Sequence, residues 1–230
     1  MAERKEVDIV KKDILKKAIS DTIPVMTGYI ALGIGFGVLM QTNGYEWYWA
    51  SIMAIFIFAG SMQYVAIGLL TGGAGLFTTA LTTFMVNARH LFYGLSLVEK
   101  YKNVGKIKPY LIFGLTDETY SLVCSKDEGK QYYFLVTMLD HLYWITGCTL
   151  GAVLGNFIKF NTEGIDFALT ALFVSIATEQ WLGTKNHIPA IVGAFASIVC
   201  ILAFGSDNFL IPTMFVITAL LLISGKKVKQ

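Results

Sequence analysis

Seven ionisable side chains fall within or at the edges of apolar runs: Arg89, His90, Asp117, Glu118, Asp140, His141 and Glu179. Arg89 and His90 are adjacent inside residues 58–97, an apolar stretch that also carries Gln63 and Asn87. A charge at bilayer mid-depth costs roughly 2.5–3.5 kcal/mol on insertion scales, so such groups are kept for pairing or for function. The obvious pairing is Arg89 with Asp117 or Glu118, one loop further on. A cation, carboxylates and imidazoles set in apolar segments suit two kinds of chemistry. They can hold a small charged solute, and they can move a proton. Hydrolysis fits less well. Ser61, Asp117 and Asp140 lack the Ser-Lys, Ser-His, GxGD or HExxH contexts that an intramembrane enzyme would need, so the chain reads as a non-enzyme. Cys124, Cys148 and Cys200 have neither CxxC spacing nor a histidine in ligand register, which argues against a metal or a disulfide.

Helix geometry constrains the central pair. Asn87 and His90 are three residues apart and share a face, whereas Arg89 points about 160° away from Asn87 on a regular helix. Either Arg89 faces a second partner or the helix is interrupted there.

The elements that must position these groups are membrane helices. Of the 230 residues 55% are hydrophobic and 15% charged, with mean hydropathy +0.60 and a net charge of +2 that gives no reason to invoke nucleic acid. Apolar segments recur along the whole chain, so the expected fold is all-α, a polytopic membrane helix bundle of about 7–8 segments with one or more broken or re-entrant helices. Residues 1–22 read as a basic amphipathic helix on an anionic membrane surface, ending at an Asp21-Thr22-Ile23-Pro24 cap. Residues 23–224 form a single transmembrane domain. Its segments are 23–40, 50–97, 110–124, 132–157, 165–182, 188–204 and 209–224, followed by a basic tail at 225–230. Gly33 and Gly37 are read as a GxxxG face for close packing, as are Gly147, Gly151 and Gly155. Asp140 falls on the face of Gly147 and so should point to a packed neighbour.

Lysine distribution puts both termini and the 99–109 loop in the cytoplasm. Two full crossings in 50–97 would place that loop outside. An odd number, through a break near Gly60-Ser61 or the glycines at 72–75, would keep it inside and make 110–124 re-entrant as well. The second arrangement is favoured, because irregular backbone at membrane depth lines cavities and offers amide ends to carboxylates.

Three motifs then carry a resemblance. Phe58-Ala59-Gly60-Ser61-Met62-Gln63 is similar to an FAGSxQ run, Asn87-Ala88-Arg89-His90 with Tyr93 to an NxRHxxY run, and Leu115-Thr116-Asp117-Glu118 to an LTDE segment. In this order the chain resembles the large subunit of the branched-chain amino acid exporters of the AzlC/YgaZ type, over residues 20–225. The C-terminal half is matched by its pattern of spans alone. The resemblance implies a secondary transporter exporting branched-chain or related apolar amino acids, by proton antiport, across the cytoplasmic membrane of a bacterium. It also implies a small hydrophobic AzlD-type partner subunit and no cofactor. Arg89, or amides freed at Gly60 and Ser61, would take the substrate carboxylate, and Asp117 or Glu118 its ammonium. Gln63 and Asn87 belong to the two walls of the pathway, and Phe58, Met62, Met85 and Phe92 would line an apolar pocket. His90, Glu118 or the Asp140-His141 pair would carry the coupled proton. A passive channel, or a structural subunit of a larger transport complex, is the alternative reading; dependence of flux on a proton gradient separates the first, and assay with and without the small partner the second.

Overall fold

The computed structural model describes residues 2–157 and 186–205, with positions 174, 177, 178, 181, 182, 209, 212, 213, 215–217, 219 and 220; for residues 2–11 it describes the backbone alone. Glu179, the tail at 225–230, the amphipathic pattern of the first eleven residues and most of the expected spans 165–182 and 209–224 lie outside the described residues. Two compact units divide the chain, Met1–Ala168 and Leu169–Gln230.

The first unit is built on two long helices, α1 (Ala2–Thr42) and α8 (Lys130–Phe157). By length and composition the Lys12–Thr42 part of α1 can cross a membrane, alone in this among the described residues. The helix runs through Pro24 instead of starting there, which corrects the cap expected at Asp21-Thr22. The proline has no N–H for the Ser20 carbonyl, and the helix continues past that one missing bond, with hydroxyls bonding other carbonyls of the neighbouring turns. Thr22 Oγ1 donates to the Ala18 carbonyl at 2.9 Å, and Thr27 Oγ1 to that of Pro24 at 2.8 Å. Asp21 is held by an ion pair with Lys126 and by the Tyr132 hydroxyl at 2.7 Å, and Lys17 pairs with Glu128.

α1 and α8 run parallel, joined by a glycine seam. A Cβ on Gly33 would come within 2.8 Å of the Cys148 nitrogen. One on Gly37 would overlap Cys148 and Ala152 backbone, and one on Gly151 would overlap Ile34. The glycines of both helices are therefore spent on backbone-to-backbone contact, as their four-residue spacing predicts. Lys17 opposite Glu128 and Gln41 opposite Gly155 fix the common direction. Two parallel helices require one net return of the chain between them.

That return is broken into short helices. α2 (Trp47–Phe56) and α3 (Gly60–Thr71) have 10 and 12 residues, about 15–18 Å each against a hydrocarbon core of about 30 Å. Ser51 on α2 bonds Thr149 at 2.8 Å, Phe58 stacks on His141 at 4.3 Å, and Tyr64 on α3 donates to the Leu32 carbonyl at 2.6 Å. The pair thus enters beside the later turns of α8, turns at Phe58-Ala59 and goes back the way it came. α4 (Leu76–Asn87) and α5 (Arg89–Ser96) are joined end to end at Ala88 and make the return. A lysine-bearing stretch and a short 3₁₀ turn (Gly105–Ile107) lead to α6 (Lys108–Phe113) and α7 (Asp117–Ser125), a second hairpin entering from the lysine-rich end. Lys100 Nζ closes its far end, donating to the Val123, Cys124 and Lys126 carbonyls at 2.8–2.9 Å. This arrangement keeps Lys100, Lys102, Lys106 and Lys108 at the end of the molecule where α1 begins.

The outward faces are apolar. Leu76 and Phe77 are 91% and 81% exposed, as lipid-facing side chains are, and Phe84, Leu91 and Leu95 continue that face. In the second unit α9 (Ile188–Phe204) starts with Pro189 in its first turn and buries Ala196 and Cys200. Trp181 stacks on His187 there at 4.1 Å. The three cysteines are free thiols.

Candidate functional site

The tips of the two hairpins meet the α4–α5 break. Phe58 has φ +43°, a left-handed conformation that costs a non-glycine residue about 1–3 kcal/mol and is held where the surroundings determine it. Its ring is clamped by His141, by Tyr29 edge-on at 6.4 Å and by Phe113 at 6.3 Å. Gly60 opens α3 under the Trp144 ring, which a Cβ would approach to 3.1 Å. Trp144 Nε1 in turn donates to Gln63 Oε1 at 2.8 Å, fixing a glutamine with no exposed surface.

Arg89 opens α5. Its Nη2 lies 2.9 Å from Asp117 Oδ2 and donates to Ser61 Oγ at 2.9 Å, so one guanidinium ties the N-terminal turns of α3 and α7. Tyr93 donates to the other carboxylate oxygen of Asp117 at 2.6 Å. Thr116 caps α7 by accepting from the Thr119 amide at 3.2 Å, leaving Asp117 and Glu118 in the first turn, where the helix dipole favours negative charge. The LTDE segment is therefore a capped helix start. Of the two expected partners for Arg89, the structure uses Asp117.

Glu118 turns the other way. Its Oε2 accepts from the Tyr29 hydroxyl at 2.7 Å, and Tyr29 also donates to Thr116 Oγ1 at 2.7 Å. Thr116 Oγ1 donates to Thr119 Oγ1 at 3.0 Å, and Thr119 Oγ1 to Asp140 Oδ2 at 2.8 Å. Asp140 has no exposed surface, and no lysine or arginine is paired with it among the described residues. As its spacing from Gly147 indicates, it points into packed neighbours.

The two histidines differ. His90 Nδ1 lies 3.0 Å from the Asn87 carbonyl, inside the break, and the ring meets Tyr93 edge-on at 5.6 Å. Asn87 and His90 line a groove of about 450 Å³ with Phe84, Leu97, Tyr101 and Ile112. His141 Nε2 faces the Ala54 carbonyl and its Nδ1 the Tyr110 hydroxyl, both at 3.2 Å. Only an N–H can bond a carbonyl, so Nε2 carries the proton and Nδ1 can accept from Tyr110.

Gly60, Ser61, Arg89 and Asp117 thus form one cluster with Gln63 behind it. Glu118 and Asp140 form a second, Asn87 and His90 line the groove, and His141 ties both hairpin tips. Tyr29, Thr119 and Trp144 were not singled out from the sequence. Thr116, read from the sequence as the middle of segment 110–124, is instead the cap of α7, which Thr before Asp-Glu and an apolar run could have signalled, whereas Tyr29 sits in an apolar helix with no local signal.

Helices throughout, several of them short and broken around an Arg–Asp pair, define an α-helical membrane protein. Residues 24–158 match the family described as AzlC protein. The chain is 41% identical over 220 residues to the branched-chain amino acid transport protein AzlC of Bacillus subtilis (strain 168), covering 94% of this chain and 87% of that one. It is 36% identical over 219 residues to an uncharacterized membrane protein of Helicobacter pylori (strain ATCC 700392 / 26695), covering 93% and 96%. With the inner membrane protein YgaZ of Escherichia coli (strain K12) it shares 27% over 192 residues, covering 77% and 78%. The chain belongs to the AzlC family. No solved structure matches it.

Proposed function

We propose that this chain is a secondary transporter that exports branched-chain or related apolar amino acids by proton antiport. In this reading it is the large subunit of a two-component exporter with a small hydrophobic AzlD-type partner. It sits in the cytoplasmic membrane of a bacterium with both termini inside, as the lysines at one end favour.

The observation that carries this is the Arg89–Asp117 pair at the junction of three helix breaks. A zwitterion is the complement of an ion pair. Its carboxylate replaces Asp117 on Arg89 and on the first amides of α3 at Gly60 and Ser61, while its ammonium takes the freed Asp117 carboxylate. Gln63 and Trp144 back this site, and Phe58 and Met62 supply apolar surface at the same turn. Because the substrate substitutes for an internal contact, the empty carrier keeps its charges paired while it changes conformation. Glu118 and Asp140 carry the coupled proton, and His90 lines the separate groove with Asn87. His141, bonded through both nitrogens, acts as a strut between the hairpins.

The test is labelled-leucine flux into inside-out vesicles from cells expressing the chain with its small subunit, with and without an imposed pH gradient. The expected outcome is gradient-driven flux that Asp117→Asn and Glu118→Gln each reduce by about tenfold or more. Flux indifferent to the gradient would point to a passive channel. Flux unchanged by both substitutions would remove this site from the pathway.

A further inference from the structure

The geometry points to a proton relay through three hydroxyls, Tyr29, Thr116 and Thr119, that lets Glu118 and Asp140 share one exchangeable proton. This rests on the proton coupling proposed above and names the path it takes.

Four contacts carry the inference. Thr119 Oγ1 donates to Asp140 Oδ2 at 2.8 Å, Thr116 Oγ1 to Thr119 Oγ1 at 3.0 Å, and Tyr29 to Thr116 Oγ1 at 2.7 Å. The same Tyr29 hydroxyl is 2.7 Å from Glu118 Oε2. A hydroxyl has one proton, so the two Tyr29 contacts are alternative orientations of one donor. Each orientation fits one end state. With Glu118 protonated and Asp140 ionised, every donor along the line points toward Asp140. Glu118 gives its proton to the Tyr29 oxygen, Tyr29 gives its own to Thr116, Thr116 to Thr119, and Thr119 to Asp140. Each O–H bond broken is matched by one formed, and the negative charge moves from Asp140 to Glu118. In that second state Tyr29 donates to Glu118 instead.

The two ends differ in surroundings. Asp140 is sealed from solvent, with Thr119 its sole hydrogen-bond donor among the described residues. Tyr132 on α8 is within electrostatic reach of Asp140, as is Tyr29 on α1. His141, next in the chain, is turned to Ala54 and Tyr110. Glu118 adjoins Asp117, which is paired with Arg89 and bonded by Tyr93, so it sits at the substrate cluster. A substrate ammonium drawn to Asp117 disfavours a proton on Glu118 and drives it toward Asp140. Binding of one cargo thereby moves the other inward along the hydroxyls.

The test is hydrogen–deuterium exchange of the Asp140 carboxyl, read from the carbonyl stretch of protonated acids by difference infrared spectroscopy of the full chain in lipid vesicles. Asp140→Asn assigns the band. Thr119→Val and Tyr29→Phe, which preserve shape, should each slow its exchange by roughly tenfold or more, the scale of one lost hydrogen bond in the path. Thr119→Ser, which keeps the hydroxyl, should leave it at the wild-type rate. Exchange unchanged in Thr119→Val and Tyr29→Phe, or slowed equally in Thr119→Ser, would overturn the relay. Leucine flux that ignores a pH gradient while the exchange behaves as expected would count against antiport and support the relay.

Discussion

Arg89 and His90 are consecutive in the chain and turn to different partners. Arg89 Nη2 meets Asp117 Oδ2 at 2.9 Å, while His90 turns back to the Asn87 carbonyl and lines the groove with it. The interruption at Ala88 allows this, because α5 begins at Arg89 as a new helix. One break therefore feeds two environments. The cation lies where two other helices start, and the imidazole lies beside the apolar return of the chain.

The ion pair can be tested by exchange of its charges. Neutralising one member leaves the other poorly solvated, so Asp117→Asn or Arg89→Gln should each destabilise the protein by roughly 2–3 kcal/mol. This is below the fully buried range because the Arg89 side chain is 28% exposed. The double swap Arg89→Asp with Asp117→Arg should recover part of that stability and none of the leucine transport. The guanidinium would then lie at the start of α7 and a carboxylate at the start of α5. Thermal unfolding in detergent, read beside transport, checks both halves.

The glycine seam should behave as a steric lock. Gly37→Ala and Gly151→Ala place a methyl on backbone that cannot yield without separating α1 from α8, at about 1–3 kcal/mol or more each. Gly28→Ala is the control, since a Cβ there meets nothing within 4 Å and alanine is the better helix former. It should be neutral or mildly stabilising. Equal melting temperatures for Gly28→Ala and Gly37→Ala would sink the seam.

How far these features were legible in the sequence follows from their physics. Glycines at four-residue spacing on two apolar segments announce a close helix pair, and α1 and α8 are that pair. An arginine in an apolar run must find a carboxylate, and Asp117 was one of two in reach. The breaks near Gly60 and at the glycines of 72–75 were legible too, and both separate short helices. The unbroken α1 was not legible, because Pro24 after Asp-Thr has the pattern of a helix start. What overrides it is docking of Asp21 on Lys126 and Tyr132, over a hundred residues away. Tyr29 was hidden for a similar reason. Its hydroxyl matters because the second hairpin brings Thr116 and Glu118 to it, and no local spacing encodes that.

Thr116 should show how much the site depends on one helix cap. Thr116→Ala removes the acceptor for the Thr119 amide and should destabilise the protein by about 0.5–2 kcal/mol. Thr116→Ser keeps the cap and should restore stability. Amide exchange in residues 117–120 distinguishes a local loss from a global one, since a failed cap frays that turn first.

Lys100 offers the complementary test at the other end of α7. Its ammonium gathers the Val123, Cys124 and Lys126 carbonyls, three acceptors at a helix C-terminus where a cation is favoured. Lys100→Met keeps the aliphatic stem and deletes the donors. Because the site is partly exposed, water replaces much of what is lost, and the expected cost is about 0.5–1 kcal/mol. The effect on function should be larger than that figure suggests. Lys100 anchors the return strand of the second hairpin, whose opposite end carries Asp117 and Glu118, so a loosened anchor moves both carboxylates. Faster amide exchange across 117–125 with weakened leucine transport and a nearly unchanged melting temperature is the expected combination. A variant that exchanges and transports like the wild type would mean that the 3₁₀ turn and α6 hold the hairpin without Lys100.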